Sequence, residues 1–184
     1  SIQNYNESDG LISRAVSPAA ITKDNNGNIY FGGPEGISYT DPTKTTRNTT
    51  PPRLAINHIF IYDKDNKRER VEFKNDSISI FHTTQTIEIN YVGLSYTKTQ
   101  KNKYQYKLKN LNEDWVENNT KRTVSFQGLK PGEYTFFFKA SNNDGIWSEP
   151  SSPLFIRVYP PAWKTWWAYS GYIGLFALAA FGSV

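Results

Sequence analysis

The chain has no cysteine, no methionine and just two histidines, His58 and His82, among 184 residues. Without cysteine there is no disulfide framework, no thiolate nucleophile and no Cys-based zinc or iron–sulfur site. Two histidines cannot build a three-His zinc site. The missing methionine leaves no initiator, so Ser1 is expected to arise by processing or to mark a cut through a larger protein. An excess of one charge sign is also missing: 21 Lys and Arg stand against 17 Asp and Glu, a net charge of +4. The two signs interleave over 63–70, and Lys98, Lys101 and Lys103 form one small cluster. A nucleic-acid binder gathers its positive charge on one face or helix. These segments read instead as solvated loops, and no nucleic-acid partner is expected.

Catalytic signatures are equally thin. No phosphate-binding glycine loop precedes a helix, and no serine sits in a Gly-x-Ser-x-Gly elbow. Glu113 and Asp114 are adjacent carboxylates in a turn beside Trp115, without a partner that would make an acid/base pair. Asp24, Asn26 and Asn28 around Gly27 have part of a calcium-loop pattern but lack the distal bidentate Glu; an Asx-type turn is the expectation. His58 and His82 fall in predicted strands away from any carboxylate cluster. The chain is therefore not read as an enzyme, and neither a cofactor nor a metal is expected.

What is abundant is aromatic surface: five Trp, twelve Tyr and eleven Phe. These supply the bulk of a core without Met or Cys. Residues 1–48 hold glycine-punctuated short strands: a turn at 24–27, a strand at 29–31, a turn at 32–36 and a strand at 37–39, with Asp9-Gly10-Leu11 upstream. The unit reads as a partial β-propeller blade, which needs at least about three further blades to close. A Thr-, Asn- and Pro-rich linker follows, ending at Pro51-Pro52.

Residues 49–161 carry short strands expected near 54–62, 71–73, 77–81, 86–94, 103–108, 123–126, 133–140 and 154–159. That number of strands predicts an immunoglobulin- or fibronectin-like β-sandwich. Leu129-Lys-Pro131-Gly132-Glu-Tyr134 places a turn before a strand that opens on tyrosine, the tyrosine-corner arrangement, so the Tyr134 hydroxyl should return to backbone near Leu129. Trp115 and Trp147 are expected to pack in the core or against loops; stacking on a sugar is the alternative.

Residues 162–184 are expected to begin a membrane-spanning helix. After Lys164 no charge follows, and 165–184 as a helix would reach roughly 30 Å, the thickness of a bilayer's hydrocarbon core. Trp163, Trp166 and Trp167 crowd its start, where amphipathic rings favour the headgroup zone. Pro160 and Pro161 fix φ and remove two donors at the junction, limiting slack between strand and span.

Five ordered motifs together resemble one module: Tyr104-x-Tyr106-Lys-Leu108, Leu111-x-x-x-Trp115, Leu129-x-Pro-Gly132-x-Tyr134-x-Phe136, Asn142-x-Asp-Gly145-x-Trp147-Ser148 and Pro160-Pro-x-Trp163. It is the triple-tyrosine (Y-Y-Y) domain that closes the periplasmic sensor region of hybrid two-component system proteins of the Bacteroidetes. The resemblance spans about residues 51–167. It implies an extracytoplasmic relay domain between glycan-detecting propellers upstream and a histidine kinase downstream in the same chain, anchored by one span on the periplasmic side of the inner membrane and paired as a homodimer. Glycan contacts would then lie outside this segment, and the role falls on Tyr134, Trp115, Trp147, Pro160, Pro161, Trp163, Trp166 and Trp167. A fibronectin-like or carbohydrate-binding accessory domain of a surface enzyme or adhesin is the competing reading.

Overall fold

The computed structural model describes residues 11–12, 15, 17, 19–44, 47–73, 75–95, 98–161, 163 and 168–174. Ile21–Lys23 (β1), Ile29–Gly33 (β2) and Gly36–Thr40 (β3) form a three-stranded antiparallel sheet. Its first turn is organised by the Asp24 carboxylate. That group accepts from the backbone N–H of Asn26 (2.8 Å) and Asn28 (2.9 Å), from the Asn28 amide (2.8 Å) and from the Tyr30 hydroxyl (3.1 Å). This is an Asx-type turn, and the Asn28 side-chain donation is the largest influence holding the Asp24 carboxyl below its ordinary range. The second turn is shorter than 32–36: Gly33 pairs with Gly36, leaving Pro34 and Glu35 at the apex. Gly32 is required by space, since a Cβ there would lie 2.8 Å from the Ala20 Cβ.

From Arg53 the chain folds into two sheets. Arg53–Tyr62 (β4), Arg68–Val71 (β5), Thr86–Leu94 (β7) and Thr123–Gln127 (β10) form one, in the order β10-β7-β4-β5. Ser77–Phe81 (β6), Lys103–Lys109 (β8), Val116–Asn119 (β9), Gly132–Ser141 (β11) and Leu154–Tyr159 (β12) form the other, in the order β6-β12-β11-β8-β9. All neighbours are antiparallel except β12 and β6. The alternating pattern decides which side faces in: Ile87, Ile89 and Tyr91 of β7 meet Tyr134, Phe136 and Phe138 of β11 and Ile156 of β12 in one core. Its centre is aromatic, with the Tyr91 ring 4.7 Å from Phe138 and 5.8 Å from Phe136. Such pairs add about 0.5–1.5 kcal/mol each beyond their buried area. The buried Tyr91 hydroxyl accepts from the Asn118 amide at 2.6 Å, and burial pushes its pKa well above the usual tyrosine range, so it stays neutral.

Several expectations shift. The strand placed at 71–73 lies earlier, because the Asp63 carboxylate accepts from the Asp65 and Lys67 N–H groups (both 2.9 Å) and closes a turn that starts β5 at Arg68. Phe73 still packs against the core from outside the strand. β9 went unforeseen: Val-Glu-Asn-Asn has no apolar alternation, and this edge strand needs none to pair with β8. His82 stands one residue beyond β6, in the turn that follows it. Of the C-terminal stretch, 168–174 are helical. Among the described residues no helix is long and apolar enough to cross a membrane; Trp166 and Trp167 lie outside them.

Candidate functional site: two joints at opposite ends of one hairpin

β11 and β12 form a hairpin whose connecting loop and final residue lie at opposite ends of the sandwich. At the loop end, Asn142 follows β11 and is 1% exposed. Its Oδ1 accepts from the N–H groups of Asp144 (2.9 Å) and Ile146 (3.0 Å), which shapes the loop. Its Nδ2 donates to the carbonyls of Asn48 (2.7 Å) and Thr50 (2.9 Å), which fastens the incoming linker. Asp144 adds a grip: its Oδ2 accepts from the Asn48 N–H at 2.7 Å. Gly145 completes the loop at φ +80°, in the left-handed region that disfavours a side chain. The Asn-x-Asp-Gly spacing is thus a latch for residues 48–50. Just beyond, Pro52 is buried, and a Cβ on Gly93 would lie 3.1 Å from the Pro52 Cβ and 2.6 Å from the Ala140 Cβ, so the linker enters where β7 and β11 approach closely.

At the other end β12 leaves from between β11 and β6. Pro160 is exposed and Pro161 buried. Trp163, 60% exposed, meets the His82 ring edge-on at 5.5 Å between centroids. The His82 N–H donates to the Tyr159 carbonyl at 3.1 Å, and the rings of Phe81 and Tyr159 lie 6.0 Å apart. Tyr134 braces this end. Its ring is in the core and its hydroxyl donates to the Lys130 carbonyl at 2.9 Å, one residue past Leu129. Tyr134→Phe keeps the ring and removes that bond, so the protein should lose about 1 kcal/mol in chemical denaturation. A loss indistinguishable from zero would mean the corner contributes nothing.

Trp115 and Trp147 are not core residues. They flank Lys139 on the outer face of the five-stranded sheet, with the Lys139 Nζ 4.6 Å from the Trp115 ring centroid and 5.3 Å from that of Trp147. Lys139 alternates outward between Phe138 and Ala140, which the sequence pattern dictates; its pairing with two indoles across a loop was not readable. Trp147, 37% exposed, also lines a polar cleft of about 390 Å³ with Lys103, Gln105, Glu117, Asn119 and Asn143. Glu113 pairs with Lys107 at 3.7 Å on the surface. Among the described residues no group of three potential metal ligands occurs. The described geometry thus offers a fastened entrance at the loop end and two consecutive prolines at the exit. Sequence motifs mark both ends, but the Asn142 role was missed, because its partners Asn48 and Thr50 lie more than ninety residues away.

Comparison with known proteins gives this arrangement a context. Residues 95–159 match the Y_Y_Y domain model. Histidine kinase P4 of Formosa agariphila is 30% identical over 181 residues, covering 91% of this chain and 13% of that protein. The chain thus spans a small part of its curated relative. Among solved structures, the extracellular domain of the hybrid two component system BT3049 from B. thetaiotaomicron superposes with a TM-score of 0.71 at 23% identity, over 86% of this chain and 22% of that one. That of BT4673 from the same organism gives a TM-score of 0.51 at 21% identity, over 73% and 19%. At these identities the structural matches speak for the fold.

Proposed function

We propose that the chain relays a signal rather than recognising one, a reading supported by the match of residues 95–159 to the Y_Y_Y domain model. It couples propellers upstream, which detect a glycan fragment, to a histidine kinase downstream in the same protein. The three-stranded sheet is read as the last part of a propeller blade, 49–161 as the relay sandwich and 162–184 as the start of a single membrane span on the periplasmic side. The observation that carries this is the latch. Asn142 and Asp144 fasten residues 48–50 to the far end of the hairpin whose other end becomes Pro160-Pro161.

A relay must have two arrangements that ligand binding weights differently. A packed sandwich moves as a body and displaces what is attached to it. β12 is hydrogen-bonded on both edges, so it cannot shift without breaking two ladders. In a homodimer, rotation of two such bodies changes the spacing of the segments below them.

The exposed Trp147 beside a polar cleft favours one second reading, a carbohydrate-binding accessory domain. Lys139 against the indole weighs against it, since it competes with a sugar for the ring. A glycan array probed with this chain separates the two. The relay reading expects no binding, with dimers captured by crosslinking in membranes; strong glycan binding by the sandwich and no dimer would replace it.

A further inference from the structure

We propose that the base of the sandwich itself rests in the lipid headgroup layer, through Phe81, Tyr159 and Trp163; the inference builds on the membrane anchor proposed above. Phe81 is 65% exposed, Tyr159 38% and Trp163 60%. The first two end adjacent parallel strands in direct register, Tyr159 opposite Phe81, with their rings 6.0 Å apart. Large aromatics clustered in water mark a surface that meets something else.

The sequence that follows identifies what it meets. Lys164 is the last charged residue, and everything after it is uncharged. If that run enters hydrocarbon, Trp163 stands at the boundary, where indole rings concentrate. Trp163 is not a spacer on a loose stalk. Its ring packs edge-on against His82, the residue next to Phe81, and Pro161 is buried. The chain is folded up against the sandwich as far as Trp163, so no described residue serves as a spacer between the domain and the uncharged run. Phe81 and Tyr159 are therefore held at the level of Trp163. The headgroup region on each side is about 5–8 Å deep, enough for these rings. Phe155, 51% exposed, faces the same way but lies four residues higher on β12, about 13 Å along the strand, and should clear it. The seat fixes the height and tilt of the relay body, so a movement at the latch becomes rotation rather than bobbing.

The test uses the full-length protein in nanodiscs of phosphatidylethanolamine and phosphatidylglycerol, with a single fluorophore at Phe81→Cys or at Phe155→Cys, other cysteines being replaced. Headgroup spin-labelled lipid should quench the label at position 81 about twofold more than at 155, following the interfacial preference of the aromatic cluster. Tyr159→Cys should match position 81, which covers a folding failure of one variant. Equal quenching at 81 and 155, or none at 81 in protein that has incorporated, overturns the seat and leaves the anchor standing. So does a label at 81 shielded from aqueous iodide yet untouched by lipid, which would assign the surface to a second protein copy. Failure of the protein to incorporate overturns seat and anchor together.

Discussion

Replacing Asn142 by Asp should release residues 48–50 from the sandwich while the loop that held them stays folded. The substituted side chain retains an oxygen to accept from the N–H groups of Asp144 and Ile146, so the loop's internal bonds survive. The other half of the group changes sign. An amide that donated to the Asn48 and Thr50 carbonyls becomes a carboxylate oxygen facing them. At a site 1% exposed, two lost hydrogen bonds and an unpaired buried charge should destabilise the protein by about 3 kcal/mol. The specific sign is local: hydrogen exchange at the Asn48 N–H, now held by Asp144, should accelerate far more than exchange within β11. Asn142→Ala removes both halves and should loosen loop and linker together. If Asn142→Asp leaves the Asn48 exchange rate unchanged, the latch does not hold the linker.

How much of this could be read beforehand depended on the range of the interactions. The sandwich was legible because alternation is local: Thr86-Ile-Glu-Ile-Asn-Tyr shows in six residues which side of β7 faces the core. Tyr134 was legible because its acceptor, Lys130, is four residues away and the Pro-Gly turn between them is recognisable. β9 was not, because an edge strand rich in Glu and Asn satisfies its backbone without burying a face. Trp115 and Trp147, expected in the core or against loops, stand outside the core for a related reason. Aromatic content alone favours a core, whereas the outward register of Lys139 gives both rings a cation to cover at the surface. The Asn-x-Asp-Gly motif could be recognised but not explained, since a long-range clamp leaves no periodic trace.

In the proposed relay the exit is the coupling element. Pro160 and Pro161 each hold φ near −65°, so the direction in which β12 leaves the sheet is passed on with little freedom. Two glycines there would add backbone freedom worth roughly 1–2 kcal/mol or more per residue, comparable to the 1–3 kcal/mol that typically couples one site to another. The sandwich core, which does not include this segment, should remain intact. The decisive measurement is reporter induction by the glycan proposed as inducer, in the full-length protein with Pro160 and Pro161 both replaced by Gly. Membrane abundance, melting temperature and unstimulated kinase activity serve as controls. With the controls preserved, the relay account predicts that induction falls by about tenfold, the size of a typical coupling free energy. Induction equal to that of the unaltered receptor would contradict it, because the signal would then pass without a stiff connection between the sandwich and the segment beyond it.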